Sequence, residues 1–230
     1  MSKVASAAPN TPFYYYCINF FTGIYLNDAK FLHLGAERIP NLVGLKHSSK
    51  ELPSAHSCML VNPERYQILI GSDVQLLSCL SLGMDVPVIA SFLGQLFNKI
   101  KTAFDKGDIE TARKYQCQAQ EINTIRANYG GGINAAKAVF NIVSGLNAGP
   151  VRLPLTDLKN EQKQQLKAQL DASDIVFVGL ESAVCECWFK GEKLESLKTR
   201  QRILDMCFVN NYEQMHLLYI DADNDCIITR

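Results

Sequence analysis

The sequence predicts an α/β protein built on a parallel sheet covered by helices, and three observations carry that expectation. Short apolar runs at Phe13 to Ile18, Leu42 to Lys46 and Tyr66 to Gly71 alternate with stretches of helical periodicity through the first part of the chain. The runs are nearly continuous in hydrophobicity, the pattern of strands covered on both faces. The segments between them are long enough to form helical crossovers, which parallel strands require. This alternation suits a (β/α) barrel or an open α/β sheet, and in both the functional groups gather at the C-terminal ends of the strands.

Each element follows from its own residues. Phe13-Tyr14-Tyr15-Tyr16-Cys17-Ile18 is aromatic and β-branched, as strands prefer, and Asn27 is suited to cap a helix running to Arg38. Leu42 to Lys46 is the second strand, followed by a helix from Lys50 to Leu60. After the third strand, Tyr66 to Gly71, a helix from Val74 to Leu82 ends at Gly83. Val86-Pro87-Val88-Ile89-Ala90-Ser91 is expected as a fourth strand despite its internal proline, which cannot donate to a ladder.

From Leu93 to Tyr129 the pattern is helical, with Asp108-Ile109-Glu110 opening a long amphipathic helix that runs through Arg126. Gly130-Gly131-Gly132 breaks it, a helix follows from Asn134 to Ser144, Gly149 to Leu155 is extended, and Lys159 to Asp171 forms a charged helix. Further on, Ile175 to Val178 and Leu217 to Ile220 read as strands around a basic helix from Leu194 to Met206. The expected organisation is thus a barrel-like segment at 1–98, a helical extension at 99–175 and a divergent tail at 176–230.

Composition narrows the function classes. The chain is 47% hydrophobic and 20% charged, within the range of ordinary globular proteins. Basic and acidic residues both number 23, so no long-range field favours nucleic acid or an acidic membrane as a partner. No stretch approaches the roughly 20 apolar residues of a membrane span, and the first residues lack a hydrophobic signal segment, so a cytoplasmic location is expected. The eight cysteines are scattered and are expected to be reduced. Cys185 and Cys187 form a C-x-C with no partner pair at zinc-finger spacing, so no metal site is expected, and His47 and His56 are read as solvated.

The strand ends carry the candidate chemistry. Alternation puts Tyr14 and Tyr16 on one face of their strand, and Gly44, Lys46 and Ser48 on one face of theirs. A lysine drawn partly out of water attacks a ketone as the neutral amine, and a neighbouring phenol can shuttle protons. The plainer readings are a lysine that snorkels into solvent and a tyrosine that simply packs. Asp73 is either a ligand to substrate or a helix-start residue; Ser48 and Ser49 are either substrate contacts or caps for the helix near Lys50. The triple glycine at 130–132 does not follow a strand and reads as a break between helices rather than a phosphate cradle.

Four ordered motifs resemble one family. Phe13-Tyr14-Tyr15-Tyr16-x-Ile18 with Thr22-Gly23, then Val43-Gly44-Leu45-Lys46-x-Ser48, then Gly71-x-Asp73, and then Gly149-Pro150-Val151-Arg152-Leu153-Pro154-Leu155 are similar to the N-acetylneuraminate lyases. These lie among the pyruvate-dependent class I aldolases that include dihydrodipicolinate synthase. The resemblance spans about residues 3 to 175 and implies a partial (β/α)8 TIM barrel, about strands 5 to 8, followed by C-terminal helices. It implies cleavage of N-acetylneuraminate to N-acetylmannosamine and pyruvate. Lys46 would form the Schiff base, Tyr16 would relay the proton, and Ser48, Gly71 and Asp73 would contact substrate. No cofactor is implied beyond the covalent imine at Lys46; the implied partners are a small 2-keto acid (sialic acid, pyruvate) and further copies of the chain in a homo-oligomer.

The departures from the family pattern are specific. Cys17-Ile18-Asn19 stands where His-Ile-Pro or Asn-Ile-Pro is usual, Val74 replaces an acidic residue, and Ile89-Ala90-Ser91 replaces a Gly-Ser-Thr-like turn. Lys46 has only 45 residues before it, so the first four strands, with the Ser/Thr pair that holds the substrate carboxylate, are expected to be missing. This leaves three readings: a sialic-acid lyase, an aldolase for another 2-keto acid, or a truncated, catalytically impaired homologue that acts by assembly.

Overall fold

The computed structural model describes residues 1–173, 175, 218–220 and 226–228. Two compact units divide the chain at Ile89 and Ala90, and the second of them contains all of the helix that starts at Gly94.

The first unit is a β-α repeat. In order it comprises α1 (Ser2–Ala5), β1 (Phe13–Cys17), α2 (Asn19–Thr22), α3 (Asp28–Arg38), β2 (Leu42–His47), α4 (Leu52–Met59), β3 (Gln67–Ile70) and α5 (Leu76–Ser81). The strands pair in parallel in the order β1-β2-β3. Asn27 caps α3 as expected, its side chain accepting from the Lys30 amide at 2.8 Å. A 3-10 turn at Asp73–Gln75 precedes α5, so the expected helix start at Val74 is tightened rather than α-helical.

One face of the sheet is packed by helices. Leu45, Cys17 and Ile70 on that face are buried, with Leu32 of α3 and Ala55 and Cys58 of α4. The Tyr66 hydroxyl donates to the Leu32 carbonyl at 2.9 Å, and the Tyr15 ring lies 4.7 Å from that of Phe31. His47 also belongs to this face and is buried, not solvated as its sequence context had indicated. Its position follows from alternation: it is one residue past Lys46 and therefore points the other way.

The expected fourth strand does not form. Its region makes one parallel bridge, in which the Ile70 amide donates to the Val86 carbonyl at 2.9 Å and the Val88 amide donates to the Ile70 carbonyl at 2.7 Å. Pro87 tolerates this bridge because its missing N–H would point to the opposite side, but no ladder can continue through it on that side. The chain then enters a 3-10 turn at Ser91–Leu93.

The second unit is helical: α6 (Gly94–Asp105), α7 (Ile109–Ala127), α8 (Ile133–Ser144) and α9 (Asn160–Asp171). Gly107, at φ +74°, makes the turn between α6 and α7, and Asp108 caps α7 by accepting from the Thr111 amide at 3.0 Å. Gly130 and Gly131 take left-handed backbone between α7 and α8, the break expected of the triple glycine. The segment 149–157 is fastened to α8: Lys137 Nζ donates to the Pro150 carbonyl at 2.8 Å, and Asn134 donates to the Thr156 carbonyl at 3.1 Å.

Two short strands, β4 (Leu218–Ile220) and β5 (Cys226–Ile228), pair antiparallel. The expected basic helix from Leu194 to Met206, and the expected strand at 175–178 apart from Ile175, lie outside the described residues. No helix among the described residues is long and apolar enough to cross a membrane.

Candidate active site

The face of the sheet opposite α3 and α4 carries the candidate site. Register places Tyr14 beside Gly44 and Gly44 beside Gln67; two residues further along, Tyr16 lies beside Lys46 and Lys46 beside Leu69. Gly44 is needed here, since a Cβ at this position would run into the Gln67 backbone. With no side chain between them, Tyr14 reaches across β2 and donates from its hydroxyl to Gln67 Oε1 at 2.7 Å. That bridge forms a polar rung one layer below Tyr16 and Lys46. Gln67 was not singled out by sequence reasoning, because its part depends on strand register.

Tyr16 and Lys46 are brought together at the C-terminal ends of β1 and β2. The Lys46 ammonium lies 4.2 Å from the centroid of the Tyr16 ring, a cation–π distance, and both side chains are half-buried. The amine is thus held in place yet open to a small molecule.

The other expected contacts lie in the chain just beyond the strands. The Ser48 amide donates to the Cys17 carbonyl at 3.1 Å and the Gly71 amide to the His47 carbonyl at 2.8 Å, which extends both ladders by one residue. Gly71 permits this closeness, because a Cβ there would overlap the Ser48 hydroxyl. Ser48 Oγ is buried and has no hydrogen-bond partner among the described residues, which leaves it available to a ligand polar group. Neither serine caps α4, whose N-cap is Glu51 without a side-chain bond; Ser49 Oγ accepts from the Glu51 amide at 3.2 Å and from Asn19 Nδ2 at 3.3 Å, which ties the turn after β2 to the start of α2. Asp73 is the first residue of the 3-10 turn after β3; Ser72 precedes it without a side-chain capping bond.

Beneath this layer, on the packed face, lies a cluster that the sequence did not reveal: Cys17, Asp28 and His47. Cys17 Sγ donates to Asp28 Oδ2 at 3.1 Å, and burial together with that carboxylate pushes the Cys17 thiol up to about 12. Burial holds the His47 imidazole below its ordinary value, with Asp28 opposing the shift. Spacing in the chain gives no hint of this grouping. The signal that does is parity: Cys17 follows Tyr16 and His47 follows Lys46, so if one pair shares a face, so does the other.

Residues 1–173 match the dihydrodipicolinate synthetase family. The chain belongs to that family. Among its relatives, the N-acetylneuraminate lyase of Gallus gallus is 37% identical over 175 residues, covering 75% of this chain and 57% of that protein. The N-acetylneuraminate lyase of Rattus norvegicus is 34% identical over 190 residues, covering 81% of this chain and 59% of its own. Among solved structures, the N-acetylneuraminate lyase (sialic acid aldolase) of Aliivibrio salmonicida superposes with a TM-score of 0.71 at 31% identity, over 76% of this chain and 58% of that one. The family therefore carries the α/β barrel class expected from the motifs, and the chain spans less than two thirds of the length of these relatives.

Proposed function

We propose that this chain is a Schiff-base aldolase that cleaves N-acetylneuraminate to N-acetylmannosamine and pyruvate, with Lys46 as the imine-forming residue and Tyr16 as the proton relay. The observation that carries the reading is the Tyr16–Lys46 pair, adjacent in register and 4.2 Å apart on the open face of the sheet. The names of the relatives support the substrate.

The chemistry follows from these two groups. Neutral Lys46 Nζ adds to the keto carbon and water leaves, giving a protonated imine that acts as an electron sink. Tyr16 takes the proton from the hydroxyl on the β-carbon as the bond between the α- and β-carbons breaks. The electron pair moves into the enamine, and the aldehyde product departs. Protonation of the enamine and hydrolysis of the imine then release pyruvate and restore the amine. Ser48 Oγ, the Gly71 backbone and Asp73, in the chain just beyond the ends of β2 and β3, are the proposed substrate contacts. In this reading β1, β2, β3 and the Pro87 bridge correspond to about strands 5 to 8 of a barrel, residues 99–175 to the helices that follow, and the protein works in the cytoplasm as a homo-oligomer. The exposed run Phe20, Phe21, Ile24, Tyr25 and Leu26 after β1 supports assembly.

Borohydride trapping tests the reading. The chain is incubated with pyruvate, reduced, digested and searched by mass spectrometry for an adduct; the expected adduct is on Lys46. An adduct on another lysine, or none at millimolar pyruvate, overturns it for the isolated chain.

A second reading is favoured by one observation: β1 is an edge strand of its sheet among the described residues. An impaired homologue would use that edge to join further βα units, and would form the Lys46 adduct only when mixed with a longer lyase subunit. Val74, in place of the family's acidic residue, also leaves a shorter 2-keto acid as the substrate; comparing its cleavage with that of N-acetylneuraminate decides between them.

A further inference from the structure

Cys17, Asp28 and His47 take no part in the proposed reaction, yet they converge from separate elements on one point. Cys17 ends β1, Asp28 opens α3 and His47 ends β2, with Cys17 and His47 as register partners. They are 2%, 3% and 4% exposed. Their donor atoms all lie within 4.8 Å of one another, and His47 Nε2 stands 3.9 Å from the Asp28 Oδ2 that already accepts from Cys17. Two atoms in this cluster, Asp28 Oδ1 and His47 Nε2, are buried without a hydrogen-bond partner among the described residues. Burying a carboxylate with one oxygen unmet, beside an imidazole too distant to donate, is unfavourable for a structural network.

We propose that Cys17, Asp28 and His47 bind a divalent transition-metal ion, zinc by its donor chemistry, as a structural centre that clamps β1 to β2 and to the start of α3. Thiolate, imidazole and carboxylate are together the ligand types of zinc. Bonds of about 2.0–2.3 Å to a tetrahedral ion set its donors about 3.3–3.8 Å apart. The separations here bracket that range, so side-chain adjustments of about 1 Å or less close the site. On binding, the Cys17 S–H bond breaks, its proton leaves to solvent and a sulfur–metal bond forms. Thiolate and carboxylate then neutralise the dication, and both unpartnered atoms can face the metal. A fourth ligand would come from water or from Cys58 of α4, which is fully buried and within electrostatic reach of Cys17 and Asp28.

The centre would stand directly behind the Tyr16–Lys46 pair, one residue further along each strand and on the opposite face. It goes beyond the proposed reaction and does not depend on it: a chain with no aldolase activity would still bind the ion.

The test uses the full chain without a histidine tag, purified under reducing conditions from cells supplied with zinc or with cobalt. The expected result is about one metal ion per chain, and in the cobalt form a sulfur-to-cobalt charge-transfer band with tetrahedral visible absorption. Cys17→Ser should abolish the charge-transfer band or reduce it severalfold, and His47→Gln should lower the bound metal severalfold. Cys117→Ser, at an exposed thiol, and the double variant Cys185→Ser/Cys187→Ser should keep both signals. Metal well below one per chain in the wild type, a band that survives Cys17→Ser, or a band lost in Cys185→Ser/Cys187→Ser would overturn the proposal. If Cys17→Ser does not fold, the wild-type stoichiometry and the Cys185→Ser/Cys187→Ser spectrum still decide.

Discussion

The two faces of the β1-β2-β3 sheet are made from alternate residues of the same strands and have opposite characters. One presents Tyr15, Cys17, Leu45, His47, Ile68 and Ile70 to α3 and α4, mostly buried; the other presents Tyr14, Tyr16, Gly44, Lys46, Gln67 and Leu69, of which only Gly44 is buried. Tight packing on the first face fixes the backbone, and the fixed backbone aims the reactive groups on the second. A lysine and a tyrosine on a mobile segment would not hold a 4.2 Å separation; on neighbouring strands in register they need no additional support. The division of labour predicts that substitutions on one face remove chemistry and those on the other remove stability.

The largest expected effect is on the open face. Lys46→Met keeps the length and apolar stem of the side chain but removes the amine, and should abolish the borohydride-trapped pyruvate adduct while the urea midpoint stays near that of the parent. Loss of the adduct together with a large fall in midpoint would mean that the two faces are not separable. Tyr16→Phe should retain the adduct, because imine formation needs only the amine. Carbon–carbon cleavage should fall by ~10²–10⁴-fold, as for loss of a positioned acid–base group. A single-turnover assay alongside trapping separates the two steps, and equal loss in both would remove Tyr16 from its proposed role.

The packed face is probed by Leu45, which is fully buried between Gly44 and Lys46. Leu45→Ala should destabilise by ~2–5 kcal/mol through lost transfer energy and a residual cavity. Leu69→Ala, on the half-exposed face of β3, should cost about 1 kcal/mol. Denaturant titration of the pair checks the contrast directly; equal losses would show that the open face is packed as firmly as the other.

The sequence revealed what local rules govern. Asn27 as the cap of α3, Gly83 and Gly130-Gly131 as breaks, and the strand-end positions of Tyr16, Lys46 and Gly71 could all be read because each depends on neighbours a few residues away. The fourth strand failed where a local pattern met a long-range condition. Val86 to Ser91 is apolar enough, but Pro87 has no N–H to offer a further strand on its far side, and the segment meets β3 through one bridge only. His47 and the Cys17–Asp28–His47 cluster were missed for a related reason. Their residues are 11 and 19 positions apart in order; the parallel register of β1 and β2 brings Cys17 to His47, and the packing of α3 on the sheet brings Asp28 to both. That register, continued from β2 to β3, made Gln67 a partner of Tyr14. Facing, not composition, was the missing information.

The smallest expected effect sharpens the comparison most finely, because it touches the packed face from outside. Asn27 accepts from the Lys30 amide and satisfies one of the otherwise orphaned donors at the start of α3. Asn27→Ala should cost about 1 kcal/mol, the usual loss for a cap. The side chain of Asn27 is engaged at the cap of α3, on the packed side of the sheet, so its removal should leave the Lys46 adduct yield per folded molecule unchanged while lowering the urea midpoint. A fall in adduct yield at denaturant-free conditions, where a loss of this size leaves the chain folded, would mean that α3 positions the reactive pair as well as covering the sheet. Asn27→Asp separates these outcomes, since it keeps an accepting oxygen at the cap and should restore stability and any lost yield together.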